Sequence, residues 1–192
     1  MPGVIDANPP AEEKRMSKII RNGEVVDDAW SVLTLADGEI PESVIVPEGN
    51  TLVPLAVWQA QRAALIERAA PRGVWLDSHE KPEDLADDLA RFAVVGVHFP
   101  KFADGRVYSI GRLLRERFGF TGELRAIGDV LHDQLHYLRR CGFNAYALRA
   151  DKDPYAALAG LRVFSESYQV SVDQPQPLFR RRDRNVSAGG AA

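Results

Sequence analysis

Four short segments of this 192-residue chain together carry a mixed set of basic side chains and carboxylates. One is Asp77-Ser78-His79, the next contains Lys101, Asp104 and Arg106, the third contains Asp129, and the fourth begins with Arg149. Ammonium and guanidinium groups bind small oxyanions, and a neighbouring carboxylate orients the base or shapes its loop. Arg106 also begins a predicted helix, whose free N–H groups would add to the positive charge. Five of these residues, Lys101, Asp104, Arg106, Asp129 and Arg149, predict a site for a small anion, and the set identifies no catalytic residue.

The same residues have ordinary structural roles that the sequence leaves open. Asp104 and Gly105 form a turn dipeptide, and Asp129 is placed to cap a helix. Bases in loops that connect strands and helices are commonly solvated. The anion site and these structural roles are therefore alternatives at this stage.

The segment after Asp129 carries two histidines four residues apart, a spacing that can hold a metal ion. Its leucines are expected to face a sheet, and at about 100° per residue this turns His132 and His136 toward solvent. The sequence therefore predicts no metal site. Cys141 is the single cysteine of the chain. It follows the same helix, where the dipole opposes a thiolate, and it is predicted to be a buried filler.

The residues around these loops alternate between strand and helix patterns. Apolar runs predict strands, and the segments between them have apolar residues at helical spacing. The predicted strands are 73–77, 94–99, 123–127 and 144–148, with 168–172 as a closing strand, and the predicted helices are 54–69, 82–93, 106–118, 130–140 and one opened by Asp153-Pro154. Strands that alternate with helices through short connections run parallel, with right-handed crossovers. Their carboxyl ends then share one edge, which brings the four charged loops together.

The expected fold class is therefore α/β, with a parallel sheet of about four to five strands built from successive βα units. An open doubly wound sheet is the first choice. A curved sheet like half of a TIM barrel is the alternative, because about half of a barrel's eight units are visible. A small β-rich segment precedes the units, in which residues 18–21 and 24–26 flank the hairpin dipeptide Asn22-Gly23. Residues 30–35 and 44–46 are further strand candidates.

One domain is predicted over residues 16–178, with its β-rich part at 16–53 and its repeated βα units at 54–178. Residues 1–15 are rich in proline and acidic side chains, and they are expected to form a disordered leader. Residues 179–192 are expected to form a flexible basic tail.

The composition argues against some classes of binding partner and indicates a cellular compartment. A net charge of −3 and a pI of about 5.8 argue against binding to nucleic acid or to an anionic membrane surface. No apolar run approaches the roughly 20 residues that cross a membrane. One cysteine permits no intrachain disulfide and suits a reducing cytoplasm. The phosphate-binding motifs GxGxxG and GxxxxGK[ST] and the GxSxG motif do not occur, so the cofactor stays unassigned.

Three motifs resemble the bacterial family DUF934, a domain of unknown function. They are NTLVPLAVWQAQR at 50–62, FPKFADGRVYSIGRLLRERFGFTGELRAIGDVLHDQL at 99–135 and RRCGFNAYAL at 139–148. The resemblance extends over about residues 16–182. Genes of this family tend to lie beside those for assimilatory sulfite reduction, and its members are often labelled probable oxidoreductases of that pathway. The label carries no catalytic residues to transfer.

The resemblance implies an accessory or partner protein of assimilatory sulfite reduction. Such a protein would bind sulfite reductase, or a small sulfur anion through Lys101 and Arg106. An oxidoreductase of the same pathway with a borrowed cofactor is an alternative. A non-catalytic scaffold that forms a homo-oligomer is another.

Overall fold

The computed structural model describes residues 17–164 and 167–181. The leader predicted at 1–15 lies outside the described residues, as do residues 182–192 of the predicted tail. Eight strands form one sheet: β1 (Lys18–Arg21), β2 (Glu24–Asp27), β3 (Ser31–Val32), β4 (Thr51–Pro54), β5 (Arg72–Leu76), β6 (Val94–Phe99), β7 (Glu123–Gly128) and β8 (Ala145–Tyr146). The α-helices are α1 (Leu55–Ile66), α2 (Arg106–Glu116), α3 (Leu135–Arg140) and α4 (Pro154–Ala157). Within this described part, no helix has both the length and the apolar character that a membrane span requires.

The strands lie in the order β2-β1-β8-β7-β6-β5-β4-β3. From β3 to β8 each strand pairs in parallel with the next one in sequence, and the antiparallel hairpin β1–β2 joins the sheet beside β8. Because the order never reverses, the doubly wound first choice is wrong. The sheet curls as a half-barrel, which was the alternative. The expected four to five strands are too few, since the N-terminal segments contribute strands to the same sheet.

One face of the sheet carries the helices. Side chains alternate between the two faces of a strand, and the neighbours Val53, Val74, Val95 and Leu124 form one row. This row belongs to a single buried cluster with apolar residues of α1, α2 and α3, among them Trp58. Right-handed crossovers between sequential strands place every helix on the same side, which explains why the core is continuous there.

The opposite face is covered by the chain that follows β2. The ring of Trp30 lies over Gly73, where a side chain would collide with it. Trp75 points to the same face, and its Nε1 donates a hydrogen bond to the Leu33 carbonyl oxygen at 2.8 Å. Residues 28–35 therefore cover this face of the sheet, as the helices cover the other face.

A buried ionic cluster attaches this covering segment to the sheet. Arg125 of β7 has a side chain that is 1% exposed. Its Nη1 donates to both carboxylate oxygens of Asp28, at 2.8 and 3.0 Å, and its Nη2 lies 2.7 Å from Oε1 of Glu123. A buried guanidinium is tolerated only when its donors are satisfied in this way. The cluster therefore fixes where the segment crosses the sheet.

Some of the secondary-structure elements agree with the sequence predictions and others differ from them. The Asn22-Gly23 hairpin is confirmed, with φ values of 53° and 85°. Residues 44–46 form no strand, and residues 168–172 contribute only an isolated bridge between Ser171 and Gln174. Residues 82–93 were expected to form one helix. They form two 3₁₀ turns, Pro82–Leu85 and Leu89–Arg91.

Asp88 connects those turns to α1. It is buried and accepts hydrogen bonds from Trp58 Nε1 at 3.0 Å and from Arg62 Nε at 2.6 Å, while Arg91 Nε lies 3.1 Å away. Hydrogen bonds from Arg62 are the main reason that the pKa of Asp88 lies below its ordinary value. A carboxylate in this position holds the connection between β5 and β6 against α1.

We expect Arg125→Ala to lower the free energy of unfolding by about 3–5 kcal/mol, because it leaves the Asp28 carboxylate, 7% exposed, without its cation. Urea denaturation followed by tryptophan fluorescence measures this loss. Arg117→Ala is the matched control, since Arg117 forms an exposed ion pair with Glu83 and should matter far less. Equal losses in the two variants would contradict the assigned role of Arg125.

We expect Asp88→Asn to cost about 2 kcal/mol at pH 7, since asparagine cannot carry the charge that the two arginines and Trp58 contact. A lowered pKa means that this stabilisation is present above the ordinary carboxyl value of about 4 and is lost as the pH falls. The gap in stability between wild type and variant should therefore close in thermal melts below pH 4. Asp87→Asn, at an exposed neighbour, should show no such gap at any pH.

Candidate functional site

The carboxyl ends of β5 and β6 open onto a cleft of about 580 Å³, here called the strand-end cleft. Ligands of parallel α/β sheets bind at this edge. The cleft is lined by Asp77, Ser78, His79, Pro100, Lys101, Ala103, Asp104 and Arg106. Three of the five residues that the sequence singled out therefore share one cavity, and the remaining two, Asp129 and Arg149, lie outside its lining.

Arg106 is held by an internal ion pair. Its Nε donates to Asp104 Oδ1 at 2.9 Å, and its Nη2 lies 2.5 Å from Asp104 Oδ2. Nη2 also donates to the hydroxyl of Ser78 at 2.8 Å, and Ser78 is 4% exposed. Hydrogen bonds from Arg106 hold the pKa of Asp104 far below its usual range. Asp104 therefore stays ionised, and it neutralises Arg106 across the whole ordinary pH range.

Lys101 differs from Arg106 because its charge is not matched. Its side chain is exposed at the mouth of the cleft and makes no ion pair or hydrogen bond with any residue that the structure describes. The guanidinium of Arg106 keeps donors too, since its Nη1 has no partner among the hydrogen bonds of the described chain. Among the described residues, the cleft thus contains one cation without an ion-pair partner, Lys101, and N–H groups of Arg106 that make no hydrogen bond.

Asp129 shapes the neighbouring loop. Its carboxylate accepts a hydrogen bond from the backbone N–H of Phe102 at 2.9 Å and one from Arg149 Nη1 at 3.0 Å. Arg149 is shared with Asp151, and these two carboxylates raise its pKa. The helix-capping role considered for Asp129 is wrong, because the turn begins later, with Leu131 at its N-cap. Asp129 instead fixes the loop that carries Lys101.

Gly128 permits this arrangement. Its φ is 92°, a value that L side chains rarely adopt. A Cβ there would also collide with the Phe99 carbonyl oxygen and the ring of His98. The chain can therefore turn sharply from β7 into Asp129 only with glycine at this position.

The sequence placed Asp77 and His79 together at a strand end, but it did not reveal that they form a carboxylate–imidazole group with His98 beside the cleft. Asp77 Oδ1 lies 3.8 Å from His98 Nδ1, and Asp77 Oδ2 lies 3.7 Å from His79 Nδ1. Glu80 accepts the backbone N–H of Asp77 at 2.6 Å, and burial raises the pKa of Glu80. The signal for His98 was present, since it is the one polar side chain in the apolar strand at 94–99. Imidazoles beside carboxylates can move protons, so the site can combine anion binding with acid–base chemistry.

The other reactive residues lie away from the cleft. Cys141 is buried, as predicted, and burial raises the pKa of its thiol to about 11. His132 is exposed, as expected, and pairs with Asp133 at 2.5 Å. The expectation for His136 is wrong, because its ring packs at 5.0 Å from that of Phe164 and burial lowers its pKa. Within residues 17–164 and 167–181, no three potential metal ligands come together.

A comparison with known families finds one match. The model of the family described as "Bacterial protein of unknown function (DUF934)" matches residues 73–179. The strand-end cleft lies within the matched residues, whereas the motif at 50–62 and the segment that covers the open face lie before them. No curated protein and no solved structure matches the chain.

We expect Asp129→Ala to loosen the loop that carries Lys101, because the Phe102 N–H loses its charged acceptor. Hydrogen exchange at the Phe102 amide should become faster by about tenfold or more. Asp133→Ala is the control, since Asp133 is exposed and contacts His132. Unchanged protection of Phe102 in the Asp129 variant would contradict this role.

Proposed function

Since the chain belongs to the DUF934 family of bacterial proteins of unknown function, we propose that it binds a small sulfur oxyanion, sulfite or sulfate, in the strand-end cleft and serves as an accessory protein of assimilatory sulfite reduction. One observation carries the proposal. Lys101 reaches the cleft with a charge that no described residue matches. An unmatched ammonium group in a cavity is a ready partner for an anion.

The surrounding donors suit an anion with several oxygens. Arg106 Nη1 offers N–H groups that the ion pair with Asp104 does not use. The helix α2 begins at Arg106, whose backbone N–H already donates to Asp104 Oδ1 at 3.1 Å. Its N-cap, Gly105, makes no side-chain hydrogen bond to the N–H groups that follow in the first turn. A pyramidal or tetrahedral oxyanion can accept hydrogen bonds from three directions at once, as this arrangement requires.

The choice of sulfur rests on the gene context that the family resemblance implies. A small oxyanion site alone would fit phosphate equally well. Neighbouring genes for assimilatory sulfite reduction make sulfite and sulfate the first candidates, and they make sulfite reductase the first candidate partner. An accessory protein at this step would bind or deliver the anion while the reductase supplies the electrons.

A role as an oxidoreductase is the second candidate, and the group of Asp77, His79 and His98 favours it. Its imidazoles are placed to move protons at the edge of the cleft. Electron transfer would require a borrowed cofactor. Saturable binding of FMN, FAD or NADPH to the purified chain, seen as a change in absorbance or fluorescence, would favour this candidate over the first.

We expect Lys101→Ala to weaken sulfite binding by about tenfold, because it removes the unmatched charge. Asp104→Asn should instead strengthen sulfite binding, since it releases Arg106 from its ion pair. Isothermal titration calorimetry with sulfite, sulfate and phosphate measures both changes and ranks the three anions.

The matched control is Lys81→Ala. Lys81 is exposed and follows β5, as the cleft residues Asp77 and His79 do, but it does not line the cleft. Anion affinity that is equal in wild type, Lys101→Ala and Asp104→Asn would overturn the site. Preference for phosphate over both sulfur anions would keep the site and overturn its assignment to sulfur metabolism.

The pathway is tested separately in cells. A strain that carries Lys101 and Arg106 both changed to alanine should grow poorly on sulfate as the sulfur source and normally on cysteine. A tagged wild-type chain from sulfate-grown cells should recover sulfite reductase subunits in near-stoichiometric amount. Normal growth together with recovery of the chain alone would reject the accessory role.

A further inference from the structure

A second cavity lies at the other edge of the sheet. We call it the amino-edge pocket, because it adjoins the start of β8 and the turn of the β1–β2 hairpin. It encloses about 560 Å³, a volume typical of sites for small organic molecules. Arg21 of β1 pairs with Ala145 of β8, and this antiparallel register brings Gly23 to the edge opposite the strand-end cleft. The pocket is therefore separate from the site proposed above.

The polar part of this pocket is basic. Arg139 and Arg162 line it, and no aspartate or glutamate does. The side chain of Arg162 makes no ion pair or hydrogen bond with any described residue. Arg139 forms an ion pair with Asp173 at 3.7 Å, Asp173 is shared with Arg140 at 3.8 Å, and the Arg139 side chain is 40% exposed. Two arginines thus line one cavity, and the one carboxylate described beside them is shared with a third arginine.

Most of the remaining polar side-chain groups of the lining are already hydrogen-bonded within the protein. Asn144 Oδ1 accepts the backbone N–H of Leu124 at 2.8 Å, and Asn144 Nδ2 lies 3.3 Å from Asn22 Oδ1. The hydroxyl of Tyr146 donates to the Phe143 carbonyl oxygen at 2.7 Å. The groups left to meet a ligand are therefore the two guanidinium groups, the Nδ2 group of Asn22 and an apolar floor.

That floor is formed by Phe143, Tyr146, Leu158 and Leu161. Apolar and aromatic surfaces favour a ligand with a ring or chain to bury, and a bare inorganic anion has neither. We propose that the amino-edge pocket binds an amphipathic organic anion, with its acidic group at Arg139 and Arg162 and its apolar body against this floor. This ligand class differs from the small oxyanion of the strand-end cleft.

The probe for this site is 8-anilinonaphthalene-1-sulfonate, an aromatic anion of suitable size, titrated into the full chain by fluorescence. We expect Arg162→Gln to raise its dissociation constant by about tenfold. The neutral analogue N-phenyl-1-naphthylamine should bind wild type and variant alike. Arg117→Gln, at an exposed arginine outside the pocket, is the matched control and should leave the sulfonate affinity unchanged.

A second variant tests the cavity without altering its charge. Ala159 is exposed at the rim, so Ala159→Trp should place a ring over the mouth and weaken both dyes. Circular dichroism melts confirm that each variant is folded. If both Arg162→Gln and Ala159→Trp bind the sulfonate as wild type does, the proposal is overturned.

Two further readouts separate this site from other surfaces. Amide chemical shifts on addition of the sulfonate should move at Gly23 and Asn144. Shifts centred on the exposed Tyr168 and Phe179 would assign the dye to a different surface and overturn the proposal. Lys101→Ala should leave dye binding unchanged, so failure of the strand-end site and failure of this pocket are distinguishable.

Discussion

A parallel sheet whose strands follow one another in sequence receives all its helices on one face, and the rest of this structure depends on how the other face is covered. Right-handed crossovers impose that asymmetry. Here the chain covers the bare face with its own segment at 28–35, held by the ion pair of Arg125 with Asp28. The half-barrel can therefore exist as a single chain without a second half, because its inner surface is already occupied.

Much of the architecture could be predicted from the sequence because its signals are local. The apolar run at 94–99, the Asn22-Gly23 turn and the helix from Arg106 each carry their own pattern. The direction in which successive crossovers step is not encoded in any single unit, so the order of the strands was open. Strand β3 has two residues and owes its place to pairing with β4, which no local propensity could reveal.

Part of the candidate site could be predicted from the sequence in the same way. Lys101, Asp104 and Arg106 lie within one loop, and they line one cleft. The rule that strand ends share an edge also placed Asp129 and Arg149 with them, but these two lie outside the lining. The sequence could not say which bases are neutralised, because that depends on distances of a few ångströms between side chains, whether these belong to one loop or to two. The pairing of Arg106 with Asp104 and of Arg149 with Asp151 and Asp129 leaves Lys101 as the base to examine first.

The bond between Arg125 and Asp28 joins residues 97 positions apart in the chain. During synthesis the amino-terminal hairpin leaves the ribosome long before β8, the strand beside which it must lie. Contacts of such long range form late and slow the folding of a domain. Until they form, Trp75 and its neighbours on the inner face stay open to solvent, and the nascent protein presents a surface to which chaperones could bind.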